Sequence, residues 1–250
     1  RKVVKGRIDF KSVVACFSGA APLMAETKKR FEAVTGSRIV EGYSLTEATM
    51  ACCGNPYGGV NKTGSVGLPM PDVLIRIIDA ETNTDRPRGQ VGEILMHAPQ
   101  LMRGYWRNDE ETHLVLQPGD DGRMWLHTGD LGYLDEDGYV FIVDRSKDVV
   151  KAGGFQVWPR EVEEVLASHP SVAEAGVAGL PDEMRGEIVG AWVVLRPGAE
   201  SVTPDALRRF CKEKLAPYKV PSRIEFRGEL PKTMVGKVLR RKLVEETLAK

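Results

Sequence analysis

Residues 128–161 read Thr128-Gly129-Asp130-Leu131-Gly132-Tyr133-Leu134-Asp135-Glu136-Asp137-Gly138-Tyr139-Val140-Phe141-Ile142-Val143-Asp144-Arg145-Ser146-Lys147-Asp148-Val149-Val150-Lys151-Ala152-Gly153-Gly154-Phe155-Gln156-Val157-Trp158-Pro159-Arg160-Glu161. Tyr139 to Val143 alternates and is rich in β-formers, so it reads as a strand that runs into the charged group Asp144-Arg145-Ser146-Lys147-Asp148. A second apolar pair, Val149-Val150, follows, and then Gly153-Gly154. Two strand-like pieces joined in this way need a polar crossover, exposed and poorly packed, and that is where a hinge belongs. The chain therefore divides here, with a hinge near 144–148 and a mobile domain over 145–250.

Downstream, Pro159 opens a helix whose first turns carry Glu161, Glu163 and Glu164, a favourable placement at the positive end of a helix. Strands over Val172 to Ala178, Ile188 to Leu195 and Arg223 to Phe226, with helices over Pro204 to Leu215 and Leu239 to Leu248, complete an α+β domain. Upstream, residues 61–144 hold short apolar runs separated by Gly, Pro and Asp: Val73 to Ile78, Val91 to Met96, Met124 to His127 and Tyr139 to Val143. Such spacing predicts a small antiparallel barrel or sandwich, interrupted by one helix near Asp109 to Val115. Residues 1–60 begin with a strand over Val13 to Phe17, a small-residue turn, a helix ended by Gly36, and a strand over Arg38 to Tyr43. That order is βαβ, so the pairing is parallel and ligands belong at the carboxyl ends of the strands, where the loops after Phe17 and Tyr43 fall.

Composition narrows the functions available. With 250 residues, 42% of them hydrophobic, the chain can bury a substantial core. Its 35 basic and 35 acidic residues cancel, so no global field favours nucleic acid or an anionic membrane, and any anion site must be local. Cys16, Cys52, Cys53 and Cys211 lack zinc-site spacing, and the adjacent pair is poor disulfide geometry; they read as reduced thiols of a cytoplasmic protein. No run approaches the roughly 20 apolar residues that span a bilayer. A start at Arg1 and not at Met points to a piece of a longer protein.

Three features point to a nucleotide. Gly19-Ala20-Ala21-Pro22 is a loop without bulky side chains, which lets backbone approach a flat ring or a phosphate. Tyr43-Ser44-Leu45-Thr46-Glu47 sets an aromatic ring, hydroxyls and a carboxylate on one loop, groups suited to a base, a phosphate and Mg²⁺. Asp130 follows a glycine at the end of a short strand, where a carboxylate can accept two hydrogen bonds from a ribose diol. Taken singly, each has an ordinary explanation: a strand-to-helix turn, a core tyrosine beside a solvated glutamate, and a β-turn aspartate.

Taken together and in order, the motifs Ser18-Gly19-Ala20-Ala21-Pro22, Gly42-Tyr43-Ser44-Leu45-Thr46-Glu47, Gly104-Tyr105-Trp106, Trp125-Leu126-His127-Thr128-Gly129-Asp130, Asp144-Arg145-Ser146-Lys147-Asp148, Gly154-Phe155-Gln156-Val157-Trp158-Pro159-Arg160-Glu161-Val162-Glu163 and Pro231-Lys232-Thr233-Met234-Val235-Gly236-Lys237 resemble the adenylate-forming enzyme superfamily. Acyl-CoA synthetases, aryl-CoA ligases, luciferases and peptide-synthetase adenylation domains share it, and the chain looks most like the C-terminal portion of a fatty-acyl-CoA synthetase. The resemblance implies an α/β and β-barrel remainder of a large N-terminal domain, followed by a small α+β C-terminal domain.

It also implies roles. Gly19, Ala20 and Ala21 would line an adenine slot with Tyr43 against the ring. Thr46 would contact the α-phosphate, Glu47 the Mg²⁺, and Asp130 with Arg145 the ribose hydroxyls of ATP or AMP. Lys237 would reach the carboxylate and α-phosphate during adenylation, with Thr46 and Glu47 as its catalytic companions. Rotation about Lys147 would then withdraw it and bring Gly153-Gly154 toward the pantetheine of coenzyme A. By position alone Lys237 opens a basic run, Lys237 to Lys242, and reads as a solvated charge; only the resemblance promotes it.

The family's Ser/Thr/Gly-rich phosphate loop is absent from this sequence, so the fragment is expected to be inactive alone. The implied reaction is ATP-dependent ligation of a fatty acid to CoA through acyl-AMP. Alternatives keep the activation but change the partner, as in an acyl-AMP ligase loading a carrier protein or an aryl-CoA ligase. An alternative of another class is a non-catalytic nucleotide-binding or interaction module. No nucleic acid partner is expected.

Overall fold

The computed structural model describes residues 10, 12–21, 23–49, 51–234 and 236–249, and the chain divides into two compact units, 1–143 and 144–250. Pro22 and Val235 of the quoted motifs lie outside the described residues.

In the first unit, β1 (Cys16–Ser18) and β2 (Ile39–Tyr43) pair in parallel around α1 (Ala25–Thr35), with Ser18 opposite Glu41. Parallel pairing brings the loops that leave both strands to one edge, as the strand-helix-strand order requires. The two-residue strands β3 (Cys53–Gly54) and β4 (Leu68–Pro69) extend this sheet antiparallel to β2. Strands this short carry no readable alternation, which is why the sequence pattern misses them.

A second sheet holds β5 (Leu74–Ile78), β6 (Gly92–His97), β7 (Leu116–Pro118), β8 (Met124–Leu134) and β9 (Val140–Arg145), with α2 (Asp109–Val115) before β7. Its order is β5-β6-β8-β7, with β9 also on β8. Among the described residues no ladder joins β5 to β7 or β9, so the barrel expected from the sequence is an open sheet. Val140 ties the sheets together: its carbonyl accepts from the Ser65 hydroxyl at 2.7 Å and the Val66 N–H at 3.0 Å. One core runs beneath both, with Tyr43, Cys53, Ile94, Met96, Leu126 and Val140 buried in it.

The second unit contains β10 (Val150–Ala152), β11 (Phe155–Val157), α3 (Pro159–Ala167), β12 (Val172–Asp182), β13 (Gly186–Leu195), α4 (Pro204–Lys212), β14 (Arg223–Phe226) and α5 (Arg240–Leu248). The sheet order is β11-β10-β13-β12, with β14 parallel to β13. Side chains alternate across β13. Val189, Ala191 and Val193 pack with Val162 and Leu166 of α3 and Leu207 and Cys211 of α4. Trp192 packs in a separate cluster with Leu180 and with Leu243 of α5, and its indole N–H donates to the Thr247 hydroxyl at 3.0 Å. Because helices cover both faces, β13 reads as a nearly continuous apolar run.

Candidate functional site

The loop after β1 holds Gly19 and Ala20 exposed and Ala21 half-buried. A Cβ on Gly19 would stand 3.1 Å from the Gly42 carbonyl oxygen, so the missing side chain lets this loop lie against β2. The loop after β2 enters a 3-10 turn, Thr46–Ala48, that leaves Thr46 exposed and Glu47 half-buried. A second segment braces that turn. The Met102 N–H donates to the Glu47 carbonyl at 2.7 Å, the Thr49 hydroxyl to the Gln100 carbonyl at 3.1 Å, and the Tyr105 hydroxyl to Glu47 Oε1 at 2.7 Å. The hydrogen bond to Glu47, with burial, pushes the Tyr105 phenol up to about 12. Gly104-Tyr105-Trp106 stood out in the sequence without a role; the structure gives Tyr105 the Glu47 carboxylate as partner.

Asp130 sits within the eleven-residue β8 and not at the end of a short strand, which corrects the sequence expectation. The register jumps there: Glu93 pairs with Leu131 but Leu95 with His127, so Thr128, Gly129 and Asp130 together oppose Ile94. This is a β-bulge, with Gly129 at φ +67°, and bulges re-aim side chains. The Thr128 hydroxyl donates to the Ile94 carbonyl at 2.7 Å and accepts from the Asp130 N–H at 3.1 Å. Asp130 is thereby turned toward Tyr43, whose hydroxyl donates to Oδ2 at 2.5 Å. Burial, and then the Asp130 charge, hold the Tyr43 phenol far above its ordinary value, so it stays a donor. Tyr43 is a core tyrosine, buried, and its polar tip meets the aspartate.

In the second unit, Arg145 ends β9 and a 3-10 turn, Ser146–Asp148, leaves Lys147 exposed. Gly153 and Gly154, at φ +59° and +85°, form the two-residue turn of the β10–β11 hairpin. Such a turn needs positive φ at both positions, which is a backbone reason for a glycine pair here. Lys237 lies half-buried in a turn whose ends are stitched by Thr233, the Lys237 N–H donating to its hydroxyl at 3.1 Å and the Thr233 N–H to the Lys237 carbonyl at 2.8 Å.

The 144–148 crossover departs from the expectation of loose packing. Asp144 is buried, its carboxylate accepting from the Arg160 N–H at 2.9 Å and from Arg240 Nη1 at 2.9 Å. The same Nη1 reaches Asp148 Oδ2 at 3.1 Å, while Nε and Nη2 fork onto the two oxygens of Glu163 at 3.1 and 2.9 Å. Burial opposes the Arg240 charge, but the three carboxylates outweigh it and raise its pKa, keeping it protonated. Sequence reasoning missed Arg240 because a cation in a basic run carries no sign of its distant partners.

All four cysteines are free thiols, and Cys52, Cys53 and Cys211 are buried. Among the described residues no cluster of three or more His, Cys, Asp or Glu side chains could hold a metal, and no helix is long and apolar enough to cross a membrane.

The first unit thus bears the small-residue and hydroxyl-carboxylate loops on an α/β edge, and the second, an α+β unit, bears the lysine turn. The family profile described as AMP-binding enzyme matches residues 2–106, and that described as AMP-binding enzyme C-terminal domain matches residues 161–237. The chain belongs to this adenylate-forming family. It is 49% identical over 238 residues to a long-chain-fatty-acid–CoA ligase of Bacillus subtilis strain 168, covering 95% of this chain and 41% of that protein. It is 42% identical over 239 residues to a ligase of the same description from Yersinia pestis, covering 96% and 41%. The chain thus spans well under half the length of these relatives. ATP-bound MatB from Rhodopseudomonas palustris superposes with a TM-score of 0.86 at 39% identity, covering 92% of this chain and 44% of that one.

Proposed function

We propose that the whole protein is an AMP-forming acid–thiol ligase that joins a long-chain fatty acid to coenzyme A, and that this chain is its C-terminal portion. The observation that carries the reading is the approach of Tyr43 to Asp130 at 2.5 Å, which sets an aromatic ring and a re-aimed carboxylate beside the Thr46–Glu47 loop. The chain length of the acid is supported by the names of the relatives. A cytoplasmic location belongs to the reading, supported by the four free thiols.

A fatty carboxylate is a weak nucleophile and its own oxygen a poor leaving group, so it attacks the α-phosphorus of ATP and expels pyrophosphate. Gly19, Ala20 and Ala21 line the adenine side with the Tyr43 ring, and Asp130, assisted by Arg145, accepts from the ribose hydroxyls. Thr46 donates its hydroxyl to the α-phosphate. Glu47 suits Mg²⁺, an ion held through one or two carboxylates plus substrate phosphates, and the Tyr105 hydroxyl on Oε1 orients its other oxygen. Bound there, the ion neutralises phosphate charge. The Lys237 ammonium stabilises charge developing on the carboxylate and α-phosphate. In the second step the CoA thiolate attacks the acyl carbon and AMP leaves. Turning the second unit about Lys147 withdraws Lys237 and presents the Gly153-Gly154 turn to pantetheine.

The test is acid-dependent ATP–pyrophosphate exchange by the full-length protein across long-chain, short-chain and aryl acids, then acyl-CoA formation when CoA is added. No exchange with any acid sinks the reading. Exchange without transfer to CoA favours a carrier-protein acceptor.

A further inference from the structure

Glu93 stands in β6 next to Ile94, the residue opposite the bulge, and its carboxylate is turned onto that bulge: Oε1 accepts from the Gly129 N–H at 3.2 Å, and Oε2 lies 3.4 Å from His127 Nδ1. We propose that Glu93 is a positioning residue for the nucleotide: it holds the 128–130 bulge and so fixes the face of the sheet from which Asp130 meets the ribose. The inference rests on the reading of Asp130 as the ribose ligand and adds to it a residue that acts through the backbone of Gly129.

A bulge re-aims a side chain at the expense of ladder hydrogen bonds. Thr128, Gly129 and Asp130 together face the single residue Ile94, so their backbone groups cannot all find partners in the β6–β8 ladder. Side chains supply what the ladder lacks. The Thr128 hydroxyl joins the Ile94 carbonyl to the Asp130 N–H, and Glu93 accepts from the Gly129 N–H between them. Two adjacent residues of β6 thus fasten the excursion of β8 at consecutive points. The Glu93 and His127 side chains are only 15% and 19% exposed, so water is a poor substitute for the carboxylate at this amide. Glu93 is followed in β6 by three buried apolar residues, Ile94, Leu95 and Met96, and packing alone gives no reason for an acid beside them. An acceptor for Gly129 does. Without it the strand gains by letting the bulge out, and side chains alternate across a strand with a period of two. A slip of one residue therefore turns Asp130 to the opposite face, away from the Tyr43 hydroxyl that it meets at 2.5 Å. Gly129, at φ +67°, holds the left-handed backbone on which the excursion depends, and its N–H is the group that Glu93 grips.

The test uses the full-length protein, wild type and with Glu93→Ala, Glu93→Gln, Thr128→Val, Asp130→Asn and the pair Glu93→Ala with Asp130→Asn. Acid-dependent pyrophosphate exchange gives kcat and KM with ATP and with 2′,3′-dideoxy-ATP, which lacks both hydroxyls that a carboxylate would accept. The wild type should prefer ATP by about tenfold in kcat/KM, the scale of one charge-assisted hydrogen bond. Glu93→Ala should raise the KM for ATP about fivefold, leave kcat within about twofold, and cut the preference to about twofold, the pattern of lost binding and not of lost chemistry. The pair should do no more than Asp130→Asn alone, because both substitutions act on the same contact. Glu93→Gln should keep the preference, since its amide oxygen still accepts from the Gly129 N–H. If Glu93→Ala folds poorly by circular dichroism, Thr128→Val, which frees the other fastening of the bulge, should cut the preference in its place. A preference within about twofold of wild type in the folded variant, or its loss in Glu93→Gln, overturns the positioning role. A wild type that does not prefer ATP overturns the ribose reading of Asp130 itself, and the two failures are thereby told apart.

Discussion

Asp130 and Asp144 lie on β8 and β9, are 4% and 6% exposed, and are held in opposite ways. Asp130 is steered by a bulge in its own strand and by the Tyr43 phenol. Asp144 is gripped by the Arg240 guanidinium and by a backbone N–H at the start of α3. A phenol orients a carboxylate without cancelling its charge, whereas a guanidinium does both. The first acid is thereby paired with a neutral donor and the second with a cation. Residue type and burial do not separate the two; the partner does.

The sharpest way to break that contrast is at the turn carrying Lys237. In the full-length protein Lys237→Ala should slow adenylation by about 10²-fold or more, since one lost charge-stabilising donor costs roughly 2.7–4 kcal/mol, and leave thioester formation from acyl-AMP nearly untouched. Lys147→Pro should do the reverse, because the ring fixes φ near −65° and stiffens the pivot. Pyrophosphate exchange and acyl-AMP consumption measure both, and equal loss of both steps in both variants contradicts the division of labour.

A smaller effect is expected at Asp130. Asp130→Asn should raise the KM for ATP by about tenfold, the scale of one charge-assisted hydrogen bond. Tyr43→Phe keeps the charge, so it should raise KM by only a few-fold and lower the unfolding free energy by about 1 kcal/mol in urea titrations. Equal KM effects would mean that the tyrosine does more than orient.

Tyr105 supplies a pH test. Its pKa rises from the ordinary 10.0 to about 12 on folding, so the folded state favours the protonated phenol. That contribution to stability is fully present below pH 10 and is lost as pH rises through about 12. The gap in urea midpoint between wild type and Tyr105→Phe should be flat from about pH 7 to 9 and shrink above 10. A gap that widens there contradicts the assigned donor.

The mildest probe is thiol labelling of the folded chain. Burial pushes Cys53 up to about 12 and Cys211 up to about 11, which leaves almost no thiolate near pH 8. Half-buried Cys16 should be modified first, with Cys53 and Cys211 protected until urea unfolds the protein, as read by mass spectrometry. Early labelling of Cys53 would show that the core beneath the Glu47 loop opens in the native state.

Legibility followed the range of the interactions. The strand-helix-strand opening, Gly36 as a helix stop, Pro159 and Pro204 at helix starts and the apolar run of β13 were readable, because they depend on neighbours a few residues away. The two-residue strands, the open edge of the second sheet and the extension of β8 through Gly129-Asp130 were not, because each depends on a partner strand.

The candidate site divides on the same line. Sequence alone determined which groups are present and in what order: the small-residue loop, Thr46 and Glu47, Asp130, the charged crossover, the paired glycines and Lys237. Side-chain chemistry and local backbone preference are properties of short stretches and need no fold. Only the tertiary structure decided that Asp130 meets Tyr43 across 87 residues of chain, that Tyr105 holds Glu47 across 58, and that Arg240 closes on Asp144 across 96. A hydrogen bond or an ion pair acts over about 3 Å and carries no information along the chain. Which carboxylate meets a neutral phenol and which a guanidinium is therefore settled by packing.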